Sequence, residues 1–315
     1  MKVTRILIAY DGSGYSHAAL SELRCSGLPD KADVLIVSVS EIWLPPPVKY
    51  QEAESVPDSD VAEYFQTYSE QTDRNLAETK IIVSQARDEL LRYFFDWNIK
   101  TEAVMGSPAR EILSRALEFK PDLIVVGARG LSSDQETGLG SISQKVLTAA
   151  KCSVRISRLK SEVIRSRLRI IIGFDASSES MLAVETVASR SWKTKPEIRL
   201  ITVTDPFTLL IPGRVFQPIP GMSEGRMKGK EKWVETLTAN ALQVLGDAGL
   251  SATLHIHSGN PRMMLISEAE KWSANSIFIG SNSLPFEPES YSLGCVASAI
   301  AALASCSVEV VRKSQ

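Results

Sequence analysis

Residues 125–143 read VVGARGLSSDQETGLGSIS and hold the side chains and amides best suited to gripping a ligand. An apolar strand ends at Gly127, a second glycine follows at Gly130, and after nine further residues comes Gly140-Ser141. Glycine at the end of a buried strand lets the backbone turn with positive φ and lets a ligand come close. The run ISQKVLTAA beyond Ser141 reads as a helix, which places the Gly140-Ser141 amides at a helix N-terminus. Free N–H groups and the positive end of the helix dipole make such a terminus an anion site. Arg129 adds permanent charge and the serine hydroxyls add donors. This is a cradle for phosphate rather than a reaction centre.

Groups for catalysis are scarce. The chain has three histidines, His17, His255 and His257. His255 and His257 would share one face of a strand, but with no third ligand nearby they read as ordinary polar positions. His17 reads as an exposed residue in the first turn of a helix. No P-loop, G-x-S-x-G elbow or H-E-x-x-H occurs, and GSGYS at 12–16 lacks the third glycine of a dinucleotide loop. Cys25, Cys152, Cys295 and Cys306 stand far apart, without zinc-type spacing, and read as buried free thiols. A net charge of −2 gives no basic field for nucleic acid or an acidic membrane. The opening MKVTRILIAYDGS reaches Asp11 too soon for a signal peptide, and no apolar stretch approaches the roughly 20 residues of a membrane span. These features lead us to expect a cytoplasmic protein.

The elements that must hold the cradle repeat. RILIAYDGSGYSHAAL (5–20) aligns without gaps to RIIIGFDASSESMLAV (169–184), an offset of 164 that also carries VLIVSVSE (34–41) onto the strand before Asp205. MGSPAREIL and PDLIVVG find partners in SGNPRMMLI and ANSIFIG at an offset of 153, and CSVRIS meets CSVEVV at 154. The smaller offset puts the longer insertion of the first copy between its second and third strands. In that copy strands are expected at 3–9, 33–39, 99–105, 122–127 and 153–157, and helices near 14–25, 60–96, 107–118 and 140–150. Continuous apolar strands alternating with helices imply parallel sheets covered on both faces. Ser107-Pro108 and Asn260-Pro261 read as N-caps followed by proline at the first helical position. Segments 44–58 and 206–230 read as irregular insertions, and 158–168 as the connector. Domains are therefore expected at 1–160 and 166–315.

In such sheets ligands settle beyond the carboxyl ends of the strands where the order reverses. Asp11, Val39, Met105-Gly106 and Gly127 all fall at strand ends. Asp11 has a second reading, as the cap of a turn or of the following helix.

G-x2-G-x9-G-S, with both copies of the domain pattern, resembles the nucleotide-binding signature of the universal stress proteins. The resemblance covers nearly all of both halves. It implies tandem α/β domains, each a doubly wound open sheet of five parallel strands, Rossmann-like and similar to the adenine nucleotide alpha hydrolases, related by a pseudo-two-fold. It implies bound ATP, with or without Mg²⁺. Carried over, Asp11 would accept from the nucleoside, Ala9 and the Val39 backbone would touch adenine, and Met105-Gly106 would wall the ribose. Gly127, Arg129, Gly130, Gly140, Ser141, Ile142 and Ser143 would surround the phosphates. Copy two keeps Gly280, Asp175 and Gly259-Asn260, but has Ser283 for the second glycine, Gly294-Cys295 one residue late, and the acidic, proline-containing LPFEPESYS between. ATP is therefore expected mainly in domain 1. The resulting function is a stress-response or signalling module with at most slow ATP hydrolysis and an unknown protein partner. The final strands of the two copies would pair within the chain, and homodimerisation stays open. Two alternatives stand beside it: an ATP pyrophosphatase or nucleotidyltransferase, which would need S-G-G-x-D-S where AYDGSGYS stands, and a scaffold without ligand.

Overall fold

The computed structural model describes residues 3–41, 58–130, 138–158, 167–204, 209–211, 214–216, 227–281 and 293–313. The first half runs β1 (Thr4–Ala9), α1 (Gly14–Leu23), β2 (Ala32–Ser40), α2 (Asp58–Leu91), β3 (Asn98–Met105), α3 (Pro108–Phe119), β4 (Leu123–Gly127), α4 (Ser141–Ala149) and β5 (Ser153–Ser157). The second runs β6 (Arg169–Gly173), α5 (Ser178–Ala188), β7 (Glu197–Thr204), β8 (Leu209–Ile211), β9 (Arg214–Phe216), α6 (Met227–Asp247), β10 (Ala252–Ser258), α7 (Pro261–Lys271), β11 (Ser276–Gly280), α8 (Cys295–Leu303) and β12 (Ser307–Val311). The segment read as an irregular insertion at 206–230 thus holds an antiparallel hairpin, β8 with β9, because two short apolar runs flank Pro212-Gly213. The longer insertion of copy one is visible as the 34 residues of α2 against the 21 of α6.

One sheet of ten strands crosses the molecule in the order β10-β7-β6-β11-β12-β5-β4-β1-β2-β3. Each half is doubly wound and parallel, and the order turns back at β1–β4 and at β6–β11. The halves meet through β5 and β12, which pair antiparallel, so strands that would be sheet edges become its centre. Strands β4, β5, β11 and β12 are buried along their whole length; β4 accordingly reads as an unbroken apolar run, whereas β5 and β12 bury a charged residue each, Arg155 and Glu309.

Two layers of helices cover the sheet. On one face α3, α4, α7 and α8 bury one core that runs through both halves, from Ile112 and Val146 to Leu265 and Ile300. On the other face α1 and α2 pack on the first half and α5 and α6 on the second, with separate cores around Leu20 and Val184. The helix ends at the junction are capped from the opposite half. Arg312 donates to the Leu147 carbonyl at the end of α4 over 2.7 Å, and its counterpart Arg158 donates to the carbonyls of Ala301 and Ala302 at the end of α8. Cations there also oppose the negative end of each helix dipole.

Asn260 caps α7 as expected, accepting from the amides of Arg262 and Met263, whereas Ser107 occupies the N-cap of α3 without a side-chain bond. Cys152 and Cys306 are buried, Cys25 is half-buried and Cys295 is exposed at the start of α8, so two of the four thiols are not the buried groups expected; none forms a disulfide.

Candidate functional site

Where β1 and β4 run side by side and the order reverses, their carboxyl ends open into a cavity of about 380 Å³. That lies within the ~300–1,000 Å³ of small-molecule sites. Ala9, Tyr10 and Asp11 enter from the end of β1, and residues from Val37 to Glu41 from the end of β2. Val126 and Gly127 come from β4, Arg129 and Gly130 from the loop beyond, and Ile142 and Ser143 from the first turn of α4. The floor is largely apolar, with Ile112 of α3 and Ile82 of α2 facing in.

Asp11 and Gly130 come together. A Cβ placed on Gly130 would lie 2.7 Å from Oδ2 of Asp11, closer than any side chain could stand. Oδ1 of Asp11 accepts from the Ser13 amide at 3.0 Å, and Ser13 in turn caps α1 by accepting from the Ser16 amide. The turn-capping reading of Asp11 is thus seen directly, and the same residue lines the cavity. Gly140 sits against the same loop. Its amide donates to the Ala128 carbonyl at 2.8 Å, and a Cβ there would stand 3.4 Å from Cα of Arg129 and 3.8 Å from the Gly130 nitrogen.

The glycines are needed for closeness, not for positive φ. None of Gly127, Gly130 and Gly140 has a left-handed φ; Gly12 (φ 74°) and Gly106 (φ 147°) do. Gly127 is a packing position, where a Cβ would press within 3.2 Å of the Tyr15 backbone in α1. Gly280 in copy two is tighter still, 2.5 Å from the Glu179 carbonyl carbon. The first glycine of the signature thus serves the fold in both halves.

Gly140 occupies the N-cap of α4 and offers no side chain to the amides of the first turn, of which Ile142 and Ser143 belong to residues lining the cavity. The hydroxyl of Ser143 is not a donor to the cavity, because it donates to the Gly127 carbonyl at 2.6 Å and satisfies that buried oxygen. Arg129 is held at the rim: Nη1 donates to the Tyr15 hydroxyl at 3.0 Å and its guanidinium lies 5.6 Å from that ring's centre. Of the other expected residues, Gly106 donates its amide to the Ser40 carbonyl at 3.0 Å, and Met105, Gly106, Gly140 and Ser141 do not line the cavity.

A wall of α2 was not anticipated from the sequence. Asn75, Glu78, Thr79 and Ile82 face the cavity, and their i, i+3, i+4, i+7 spacing is the stripe of one helix face. With Asp11 and Glu41 they give, among the described residues, three carboxylates against the one guanidinium of Arg129. Burial, then Glu89 and Asp11, push the Tyr10 phenol up to about 12, and its hydroxyl is hydrogen-bonded to the His17 ring at 3.0 Å.

In copy two the same scaffold recurs. Asp175 accepts from the Ser177 amide at 3.0 Å, and Gly259 (φ 133°) donates to the Thr204 carbonyl as Gly106 does to Ser40. Ala176 occupies the left-handed position of Gly12. Ser283, LPFEPESYS, the polar run 131–137 and most of 44–58 lie outside the described residues. His255 and His257 do share a strand face, with ring centres 6.5 Å apart. Among the described residues no three His, Cys, Asp or Glu form a metal-binding group. No helix among them is long and apolar enough to cross a membrane.

The family model of the universal stress proteins matches this sequence twice, over residues 2–158 and again over 167–312. The chain belongs to the universal stress protein family. Its two matches make it a tandem member. A universal stress protein of Thermus aquaticus is 30% identical over 157 residues, 49% of this chain and 97% of that protein. One from Bacillus subtilis is 51% identical over 53 residues, 17% of this chain and 36% of its own length. Among solved structures, a universal stress protein of Archaeoglobus fulgidus superposes over 99% of both chains with a TM-score of 0.65 and 20% identity. A functionally unknown protein of Pseudomonas aeruginosa PAO1 does so over 99% of this chain and 93% of its own, with a TM-score of 0.58 and 14% identity. At such identities these two likenesses speak for the fold, which is Rossmann-like and duplicated.

Proposed function

We propose that this universal stress protein is a nucleotide-binding stress-response module that holds ATP in the crevice of its first half. The observation that carries this reading is the meeting of Asp11, Gly130 and Gly140 around a cavity closed by the N-terminus of α4. Adenine fits the apolar slot between Ala9, Val39 and Ile142. Ribose hydroxyls donate to Asp11 beside Met105-Gly106. The phosphates take the amides of 130 and 141–143 and the charge of Arg129. Charge-assisted bonds of about 1.5–3 kcal/mol each make a handful of such donors sufficient for micromolar binding. The acids at 41 and 78 disfavour bare polyphosphate, and an accompanying Mg²⁺ would be held by phosphate oxygens and water.

In this reading residues 1–160 form the nucleotide unit, and residues 166–315 form a unit whose site is degenerate. In this reading any hydrolysis is slow. Bound ATP would bias a protein partner by as much as its affinity for two states of the protein differs. Mass spectrometry of small molecules released from the purified protein tests this. An adenine nucleotide near one per chain supports the reading; recovery of none after purification without added nucleotide, together with no heat on ATP titration, contradicts it.

A further inference from the structure

The two halves carry a charge code at their junction. β5 and β12 pair with Ile156 opposite Val308, Arg155 opposite Glu309 and Val154 opposite Val310. The repeat offset of 154 makes Arg155 and Glu309 equivalent positions, so the pseudo-two-fold passes between them and each faces its own counterpart. Arg155 is 2% exposed and Glu309 0%. Nη1 of Arg155 lies 3.1 Å from Oε2 of Glu309.

Two flanking charges complete a chain of four. Glu22 of α1 pairs with Arg155 on the first half's side, and Arg190 beyond α5 pairs with Glu309 on the second's. Glu22 also accepts from the Ser307 hydroxyl across the junction at 2.6 Å, and Arg190 donates across it to the Ser26 carbonyl. These outer charges are not repeated, since Thr186 stands at the place of Glu22 and Ser26 at that of Arg190. The order across the junction is acid, base, acid, base. Burial opposes the charge on Arg155, but Glu22 and Glu309 more than reverse this and hold its pKa above the ordinary value.

Pairing of either half with its own kind through the same edge breaks the alternation. Two first halves would set Arg155 against Arg155, in the order acid, base, base, acid. Two second halves would set Glu309 against Glu309. Both retain their flanking pairs, yet each places like charges in contact where no water screens them.

We propose that Glu22, Arg155, Glu309 and Arg190 select the partner of each half. The central edge of the first half accepts only a second half, from the same chain or from another copy of it, and rejects a first half. Buried ion pairs often add little net stability, and this one would be retained for pairing specificity.

Full-length variants test it. Glu22→Arg with Arg155→Glu reverses the first half; Arg190→Glu with Glu309→Arg reverses the second. Each alone creates the like-charge centre inside one chain, and both together restore alternation with reversed sign. Each double variant should melt below wild type, and the fourfold variant should regain most of the loss at wild-type size. Co-expressed with different tags, the two double variants should exchange halves and co-purify as a complex of twice the wild-type size, whereas tagged wild-type chains should not. If the double variants are insoluble alone, soluble recovery on co-expression supports the proposal and its absence counts against it. A fourfold variant as unstable as the doubles, or doubles that melt like wild type, would overturn it.

Discussion

Replacing Gly130 with alanine separates binding from folding. The new methyl would lie 2.7 Å from Oδ2 of Asp11, about 0.7 Å inside ordinary contact, and the nearest thing able to yield is that carboxylate. Gly130 is not in a left-handed conformation, so the backbone itself tolerates alanine. Swinging Asp11 aside loosens its bond to the Ser13 amide, worth about 1 kcal/mol, while the lost freedom of the unfolded chain returns about 0.4–1 kcal/mol. Net stability should therefore move by less than about 1 kcal/mol. Binding should not be spared. A displaced Asp11 would forfeit the proposed charge-assisted bond to the nucleoside, about 1.5–3 kcal/mol, and so weaken ATP by roughly 10- to 150-fold. Calorimetric titration alongside thermal unfolding measures both. An ATP affinity equal to wild type, in a variant of unchanged stability, would show that Asp11 and Gly130 do not share a ligand site.

The remaining expectations concern the scaffold. Gly280→Ala brings a Cβ to 2.5 Å from the Glu179 backbone, where neither side can yield, and should cost about 1–3 kcal/mol in denaturant unfolding. Ala176→Gly should stabilise by about 0.5–1 kcal/mol, because alanine at φ 62° carries left-handed strain that glycine lacks; no gain in unfolding midpoint would refute this. Maleimide should label exposed Cys295 in the native protein and reach Cys152 only on unfolding, since burial raises that thiol to about 12. Folded Tyr10 ionises near 12 against 10.0 for the unfolded residue, so the stability it lends below pH 10 is lost as pH rises toward 12. Tyr10→Phe should flatten that alkaline decline, followed by unfolding at a series of pH values.

The fold was legible because its signals are local or repeated. Apolar runs such as LIVVG and RILIAY mark strands buried on both faces, and the offsets of 164, 153 and 154 mark the duplication. The junction was half visible: aligning SVRIS with SVEVV sets Arg155 level with Glu309, but only antiparallel pairing turns equivalence into contact. In the site, residues tied to strand ends and helix starts could be placed, since their position follows from the sheet. The wall from Asn75 to Ile82 could not, because it depends on where a long helix crosses the end of β2. The purpose of the glycines also escaped, as closeness to Tyr15 or Asp11 is a tertiary fact and leaves no mark on neighbouring residues. Nor could sequence tell that Ser143 gives its proton to a strand carbonyl.

The most direct test is ATP titration of the full chain beside Gly140→Asp. The substituted side chain would start 3.4 Å from Arg129 Cα and carry a carboxylate to the α4 N-terminus, the proposed seat of the phosphates. Wild type should bind one ATP per chain and the variant none, with the two unfolding at similar temperatures. Equal binding by both would contradict the account, and two ATP per chain would contradict its confinement to the first half.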